Sequence, residues 1–260
     1  MSESRVDNPG VRGMYGSSLC GKREVDEDFV ACGDFGGVSV AVLCDGMGGA
    51  ESGDVSSKIA ARGFVKAVGS LHAKGAKNWS SEGWRHKAYG KMVAMCHDAV
   101  NRMSGVPGRS GTTLTAVIST FEGTIPSFAD IVHIGDSRCY ILEDGGARLV
   151  TNDHSVTGDM QRAGYIELHE IPETSGNNVL TRNIGDEKRS EAEMLTIDLD
   201  SSSKFLLCCD GVWDPLHGRD GLWLPEQPLC SQESADRMTS EAIERGSTDN
   251  CSVLIVEIGA

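Results

Sequence analysis

Short apolar or alternating runs recur along the chain, and each run is bounded by Gly, Asp or Ser. This pattern is typical of β-strands separated by turns. Asp144-Gly-Gly146 supplies a hairpin turn between two of these runs. The predicted strands are Met14–Cys20, Phe29–Cys32, Val38–Cys44, Thr113–Ser119, Ala129–Ile134, Arg138–Glu143, Arg148–Thr151, Glu193–Leu199, Lys204–Cys209 and Cys251–Ile258.

Three longer segments carry apolar residues at helical spacing instead. They run from Glu51 to about His72, from Ser81 to Met103, and from Gln232 to Glu244, where Gly246 is suited to end the helix. The second segment has an apolar stripe formed by Trp84, Ala88, Met92, Met95, Cys96 and Val100. A shorter helix is predicted at Ser155–Ala163, and Val106–Gly111 is predicted to be a loop.

The order of these elements indicates the fold class. Runs of hairpin-linked strands with helices between them differ from the βαβ alternation of a parallel sheet, so we expect antiparallel sheets packed together with helices outside. No repeat or linker divides the chain, and its 260 residues suit one domain. The irregular stretch 153–186 is predicted to be a surface insertion, and such insertions are often functional lids.

Charge and cysteine content narrow the possible partners and location. A net charge of −14 argues against nucleic acid and anionic membranes, and it suits metal cations, basic peptides or simple solubility. No apolar run approaches membrane-spanning length, and the first residues lack a signal-peptide core. The nine cysteines have no CxxC spacing, so we expect reduced core thiols in a cytoplasmic protein, and the scattered histidines predict no zinc site.

Isolated acids mark the ends of several predicted strands. Asp is a common turn residue, which explains any one of these positions. Convergence of several carboxylates would instead raise each pKa and oppose folding unless cations bound there, and oxygen ligands without His or Cys suit Mg²⁺ or Mn²⁺. The acids are Glu27, Asp28, Asp45, Asp136, Asp210 and Asp249. The glycines that follow Asp45 leave the backbone bare, as a close neighbour would require.

Eight sequence blocks together resemble the metal-dependent protein phosphatases of the PPM group (type 2C), most closely the bacterial branch. The resemblance extends from about residue 12 to residue 258. The blocks are Arg23-Glu-Val-Asp-Glu-Asp28, Asp45-Gly-Met-Gly-Gly49, Ser110-Gly-Thr-Thr113, Gly135-Asp-Ser-Arg138, Asp153-His-Ser155, Leu180-Thr-Arg-Asn-Ile-Gly185, Cys209-Asp-Gly-Val-Trp-Asp214 and Ser247-Thr-Asp-Asn250. The resemblance implies an α+β fold, a four-layer α-β-β-α sandwich in which helix pairs flank two packed antiparallel sheets.

The resemblance also implies a metal site and a reaction. Asp45 would bridge two ions of Mn²⁺ or Mg²⁺, with the Gly46 carbonyl on the second ion. The other implied ligands are Asp210 and Asp249 for the first ion, Glu27 and Asp28 for ions or their waters, and Asp136 with Asp210 for a third, weaker ion. Water activated by the two ions would hydrolyse phosphoserine or phosphothreonine of proteins, and Arg23 would hold the phosphate. Residues 153–186 would form the flap beside the site.

Further expectations concern the surroundings of this site. Arg138 is expected to support the Asp136 loop, Ser110 and Thr113 to bond the metal ligands, and His154 to be structural. Met47 cannot protonate the leaving oxygen, so the general acid is unassigned. The natural partners are a bacterial Ser/Thr kinase and its substrates. A binding module that uses this fold without turnover stays an alternative, whereas a nuclease conflicts with the acidic charge.

Overall fold

The computed structural model describes residues 11–48, 52–75, 78–105, 108–122, 125–144, 146–188, 191–200, 202–226 and 229–259. Gly49, Glu51, Val106, Pro107 and Gly145, which belong to predicted elements, lie outside these residues. The strands are β1 (Val11–Leu19), β2 (Phe29–Asp34), β3 (Val38–Cys44), β4 (Gly46–Met47), β5 (Gly111–Thr112), β6 (Leu114–Glu122), β7 (Ile125–Ile134), β8 (Arg138–Glu143), β9 (Gly146–Leu149), β10 (Glu193–Asp198), β11 (Lys204–Cys208), β12 (His217–Gly218), β13 (Gly221–Leu222) and β14 (Cys251–Ile258). The helices are α1 (Gly53–Ala73), α2 (Glu82–Ser104), α3 (Val156–Arg162), α4 (Asp210–Leu216) and α5 (Gln232–Glu244), with a 3₁₀ turn at Leu168–Glu170.

Two five-stranded antiparallel sheets pack face to face and form the body of the protein. Their strand orders are β1-β14-β11-β8-β9 and β10-β7-β6-β3-β2. Helices α1 and α2 cover the outer face of the second sheet, and α4 and α5 pack against the first. This arrangement confirms the α+β, four-layer prediction. Among the described residues, no helix has both the length and the apolarity that crossing a membrane requires.

Strand β3 shows why its sequence is apolar throughout. Ala41 and Leu43 point into the core between the two sheets, whereas Val40 and Val42 point into the core beneath α1 and α2. All seven residues of the strand are buried. A strand that is covered on both faces needs no alternation of polar and apolar residues. The apolar run therefore continues to Cys44, and Asp45 is the first residue after it.

A buried ion pair fixes α2 to the sheet. The Arg85 guanidinium donates to both carboxylate oxygens of Asp130 on β7, and the two side chains are 2% and 0% exposed. The Tyr89 hydroxyl donates to the same carboxylate at 3.1 Å. The guanidinium carbon also lies 3.7 Å from the centre of the Phe128 ring. Because each partner is fully enclosed, these contacts set the position of the helix.

Several features differ from the sequence-based expectations, among them the short pairs β4–β5 and β12–β13, which were not predicted. Strand β7 begins at Ile125, four residues earlier than predicted, because Pro126 and Ser127 interrupt the apolar pattern. Pro126 nevertheless pairs with Phe121 on β6, and the Ser127 carbonyl accepts from the Leu199 amide just after β10. Helix α4 was not predicted, since it is seven residues long and contains Pro215. Met95, assigned to the apolar stripe of α2, is 63% exposed.

All nine cysteines lie in the described part of the chain, and all are free thiols. Six of them are buried, including Cys44, Cys208 and Cys209 in or beside central strands. Burial raises the pKa of the Cys209 thiol well above its usual range. Cys44, Cys208 and Cys209 are therefore protonated core thiols and not nucleophiles, as the sequence predicts.

Candidate metal centre

Strand register brings the strand-end acids to one end of the sandwich. Phe29 on β2 pairs with Cys44 on β3, so Asp28 lies next to Asp45. In the other sheet, the pairing of β11 with β14 places the end of β11 beside the start of β14, and therefore Asp210 beside Asp249. Ligand atoms of Asp28, Asp45 and Cys209 lie within 4.8 Å of one another.

Five carboxylates form what we call the acid cluster. Burial raises the pKa of Asp45 well above its usual range, and neighbouring negative charges raise it further. These neighbours are Asp28, Asp210, Asp136 and Asp249, which complete the acid cluster. So many negative charges at short range destabilise the fold unless protons or cations neutralise them.

The other members of the cluster show the same effect. Burial, together with the charges of Asp26 and Asp210, raises the pKa of Asp28 to about 7. Burial and then Asp210 raise the pKa of Asp136, whereas burial and then Asp249 raise that of Asp210. The pKa of Glu27, next to the cluster, is also raised, chiefly by burial.

Several of these oxygens are buried without a hydrogen-bond partner. Both carboxylate oxygens of Asp28 and Oε1 of Glu27 have no partner among the described residues. Such unsatisfied buried acceptors are costly, and they occur where an ion or water completes the site. The donor set of carboxylates suits Mg²⁺ or Mn²⁺, so the residues present fit the ions that the sequence blocks imply.

The backbone around Asp45 is held by hydroxyl groups. The Asp45 amide donates to Thr113 Oγ1 at 2.9 Å, and the Thr112 hydroxyl donates to the Asp45 carbonyl at 2.8 Å. Thr113 Oγ1 in turn lies 2.7 Å from the Ser137 hydroxyl. Thr113 therefore bonds the backbone of Asp45, one of the expected ligands. Ser110 was expected to do the same, but its hydroxyl donates to the Ser52 carbonyl beside the start of α1.

Gly46 must be a glycine because the backbone approaches it too closely for a side chain. A Cβ at this position would lie 2.2 Å from the Gly53 carbonyl oxygen and 2.5 Å from that of Glu27. The Gly46 amide donates to the same Glu27 carbonyl at 3.1 Å. The glycine that directly follows Asp45 is therefore explained by the packing of β4 against the start of α1.

The loop that carries Asp136 is braced from two sides. The Trp213 indole donates to the Asp136 carbonyl at 2.9 Å, and the Arg138 guanidinium stacks 3.5 Å from the indole ring centre. Arg138 also donates to both carboxylate oxygens of Asp153. His154 accepts a hydrogen bond from the Gly135 amide at 3.2 Å. The structural roles expected of Arg138 and His154 are confirmed.

A cleft of about 410 Å³ opens beside the acid cluster. Arg23 lies at its edge, half-exposed, and its guanidinium is 2.6 Å from the Asp249 carboxylate. Asp210 and Asp249 line the cleft, and Asn177 from residues 153–186 reaches it as well. An anionic group in this cleft would therefore meet a guanidinium on one side and the acid cluster on the other.

Two residues of the cleft region were not assigned a role from the sequence. Asn250 accepts a hydrogen bond from the Glu27 amide at 2.9 Å and donates to the carbonyls of Cys20 and Val25, so it fixes the loop that carries Arg23. Asp214 lines the cleft, and burial together with Asp210 raises its pKa to about 7. Each ends one of the eight sequence blocks that resemble the phosphatase family, and no other feature of the sequence indicated a role for it.

A second group of possible metal donors lies away from the cleft. Atoms of His133, His154 and Glu193 lie within 4.8 Å of one another, although the sequence predicted no grouping of histidines. Both ring nitrogens of His133 are already hydrogen-bonded, at 3.0 Å to Thr115 Oγ1 and at 2.9 Å to the Asn152 carbonyl. The two imidazoles stack at 4.8 Å, so this group serves to join strands and loop.

Comparisons with known proteins agree with this geometry. The sequence model for the family "Protein phosphatase 2C" matches residues 15–244. The serine/threonine phosphatase stp of Listeria welshimeri is 27% identical over 222 residues, which are 84% of this chain and 84% of that protein. Relatedness therefore extends over nearly the whole fold.

Solved structures of phosphatases superpose on the chain over most of its length. The S. agalactiae serine/threonine phosphatase superposes with a TM-score of 0.80 at 21% identity, over 95% of this chain and 99% of that one, which shows the shared fold. The catalytic domain of the serine threonine protein phosphatase PstP, solved with 2 manganese ions, superposes with a TM-score of 0.70 at 25% identity, over 95% and 98% of the two chains.

Proposed function

The chain belongs to the protein phosphatase 2C family and is a metal-dependent protein-serine/threonine phosphatase, and we propose that its acid cluster holds the catalytic metal ions. The observation that carries the proposal is the crowding of four other acids around Asp45, whose pKa is raised first by burial and then by these charges. Buried oxygens of Glu27 and Asp28 without partners support it. Mn²⁺ and Mg²⁺ are the candidates, since PstP was solved with manganese.

The proposed ligand arrangement assigns each acid a task. Asp45 would hold both ions, and the Gly46 carbonyl would be a ligand of the second. Asp210 and Asp249 would hold the first ion, while Glu27 and Asp28 would bind ions or orient their waters. Asp136 together with Asp210 would hold a third, weaker ion. The loop around Asp136 is braced for this task by Trp213.

The ions, when bound, supply a water of lowered pKa and neutralise charge on the phosphoryl group. The protein's own residues then bind and orient the substrate. The Arg23 guanidinium has the planar donor geometry that a phosphate dianion needs, and its place at the cleft edge allows it to leave Asp249 for the phosphate. Thr113 holds the Asp45 backbone, so that carboxylate keeps its direction during turnover.

Phosphorylated proteins are the proposed substrates, and a Ser/Thr kinase and the proteins that it phosphorylates are the natural partners in a cytoplasmic setting. We assign the catalytic domain to residues 12–258, with residues 153–186 as a flap beside the cleft. The flap assignment is supported by Asn177, which contacts Asp214 at 3.3 Å and lines the cleft.

The test is hydrolysis of p-nitrophenyl phosphate and of a phosphothreonine peptide with Mn²⁺. We expect turnover that excess EDTA abolishes and that Asp210→Asn lowers at least a hundredfold. Asp198→Asn, which changes an exposed acid at the end of β10, is the matched control and should keep full activity. Full activity of Asp210→Asn, or activity in EDTA, would overturn the proposal. Binding of phosphoprotein without turnover would favour a non-catalytic binding module.

A further inference from the structure

An apolar groove of about 630 Å³ runs along the outer face of the helix pair α1 and α2. Its floor is formed by Ala67, Leu71, Trp84, Ala88, Met92 and Met95. Met95 is 63% exposed, which is unusual for a large apolar side chain. The inner faces of the two helices, with Phe64 and Val93, already pack on the sheet. Ala67, Leu71 and Met92 also contact that core, so the apolar surface that the fold leaves unexplained is the exposed Met95 and the outward sides of its neighbours.

Four lysines lie along the groove, two on α2, one on α1 and one at the C-terminal cap of α1. They are Lys66, Lys74, Lys87 and Lys91, and all four are exposed. None of them forms an ion pair with another described residue, whereas Lys58, earlier on α1, pairs with Asp54. Lysine side chains that flank apolar surface without internal partners are available to carboxylates from outside.

The charge of this region opposes that of the rest of the chain. Eight of the 24 Lys and Arg residues lie between Val55 and His97, and Glu82 is the single acid there, although the whole chain carries −14. Arg85 is buried against Asp130 and Lys58 pairs with Asp54, so the α1–α2 surface owes its positive charge to its exposed lysines, in contrast to the acidic chain as a whole. Such segregation favours association with a negatively charged partner at this face and disfavours it elsewhere.

We propose that the α1–α2 groove docks an acidic amphipathic helix of a protein partner. Two antiparallel helices leave a concave channel between them, and a third helix fits such a channel with apolar residues at i, i+3, i+4 and i+7. Its apolar face would cover Leu71, Trp84 and Met95, while its acidic flanks would meet the four lysines. A flat anionic membrane would touch the lysines without filling the channel.

The groove is separate from the catalytic cleft but lies on a helix that begins there. Gly53, the first residue of α1, approaches Glu27 Oε1 so closely that a Cβ would lie 2.1 Å from it. The groove starts at Gly63 and ends at Lys74, roughly 15 to 30 Å farther along the helix. A docked partner therefore leaves the cleft open, and about ten extended residues would join the docked helix to a phosphorylated residue there.

The binding test uses a fluorescein-labelled peptide of about 16 residues, with leucine at i, i+3, i+4 and i+7 and glutamate elsewhere. We expect saturable binding by fluorescence anisotropy that weakens as salt rises. The double variant Lys66→Glu/Lys91→Glu should weaken it at least tenfold, and Met95→Glu likewise. Lys188→Glu/Arg219→Glu changes the net charge equally on exposed residues elsewhere and should bind like the unmodified protein.

Other results would overturn the proposal. Equal weakening by the control variant would reduce the effect to net charge, and equal binding of a peptide with lysine in place of glutamate would remove the charge argument. Binding to phosphatidylserine vesicles that Lys66→Glu/Lys91→Glu abolishes, without binding of the peptide, would assign the surface to membranes. Concentration-dependent dimerisation that Met95→Glu abolishes would assign it to a second copy of the chain.

A kinetic measurement connects docking to catalysis and rests on the proposed function, unlike the binding test. A phosphothreonine peptide joined by a ten-residue linker to the acidic helix should have a KM at least tenfold lower than the phosphopeptide alone, with kcat unchanged. Lys66→Glu/Lys91→Glu should remove this advantage and leave p-nitrophenyl phosphate hydrolysis unaltered. An unchanged KM in the tethered substrate would contradict docking, whereas loss of all turnover would contradict the proposed function.

Discussion

Replacing Asp28 with asparagine should stabilise the metal-free protein at pH 8, although Asp28 belongs to the proposed metal centre. Its pKa rises from 3.8 to about 7 in the folded protein, chiefly through burial. Because the folded pKa lies above the unfolded one, ionisation of Asp28 destabilises the folded state. This free-energy cost is absent well below pH 4 and grows as the pH rises towards 7. Above that pH it reaches about 4 kcal/mol, at 1.36 kcal/mol per pKa unit.

The neutral amide of Asp28→Asn avoids this cost but leaves its own polar atoms unsatisfied, which offsets about 1–2 kcal/mol. We therefore expect a net gain of about 2 kcal/mol at pH 8. At pH 5 the charge costs the unmodified protein only about 1–2 kcal/mol, which the unsatisfied amide matches, so the gain should vanish. A gain of this size corresponds to a rise in Tm of roughly 4–8 °C.

The assay is thermal and urea unfolding in EDTA at pH 5 and pH 8. Asp130→Asn is the matched control, because Asp130 is a buried carboxylate that is ion-paired with Arg85. It should lose about 3–5 kcal/mol at both pH values. With saturating Mn²⁺ the order reverses, and the unmodified protein gains more than Asp28→Asn. Equal destabilisation by Asp28→Asn at pH 5 and pH 8 would refute the electrostatic reasoning.

Three further substitutions test neighbouring contacts. Arg23→Ala should lower kcat/KM for a phosphopeptide roughly 10- to 100-fold, with Arg23→Lys in between, and unchanged kinetics would exclude phosphate binding by this residue. Gly46→Ala should cost roughly 1–3 kcal/mol in urea unfolding, since its Cβ would lie 2.2 Å from a carbonyl oxygen, and a neutral result would mean that the backbone relaxes. Trp213→Phe should cost about 1 kcal/mol and weaken Mn²⁺ binding in calorimetry, because the bond to Asp136 is lost.

The strands were predictable where burial alone decides the residue type. The observed β3, Val38–Cys44, has the predicted bounds because both of its faces are covered. Helix α4 was not predictable, because Gly211 and Pro215 disfavour a helix and only tertiary contacts stabilise the helical conformation there. Gly211 sits so close to the Asn250 carbonyl that a Cβ would lie 2.0 Å away, and Trp213 is bonded to the Asp136 loop. Neither contact has a local sequence signal.

The acids of the site were predictable as strand-end residues, but their convergence was not visible without register. Spacing along the chain does not place Asp28 beside Asp45, whereas the β2–β3 pairing does. Asn250 was harder to interpret, since its amide binds carbonyls more than 220 residues away. The groove was hidden for another reason. Met95 fits the helical stripe of a core residue, and only the packed structure shows that it faces outward.

The most direct test of the metal centre is anomalous diffraction at the manganese edge from crystals soaked in Mn²⁺. The acid cluster should show two strong peaks, both in contact with Asp45, and a weaker third peak between Asp136 and Asp210 at high Mn²⁺. No peak within coordination distance of Asp45 and Asp210, or manganese bound at His133, His154 and Glu193 instead, would contradict the account.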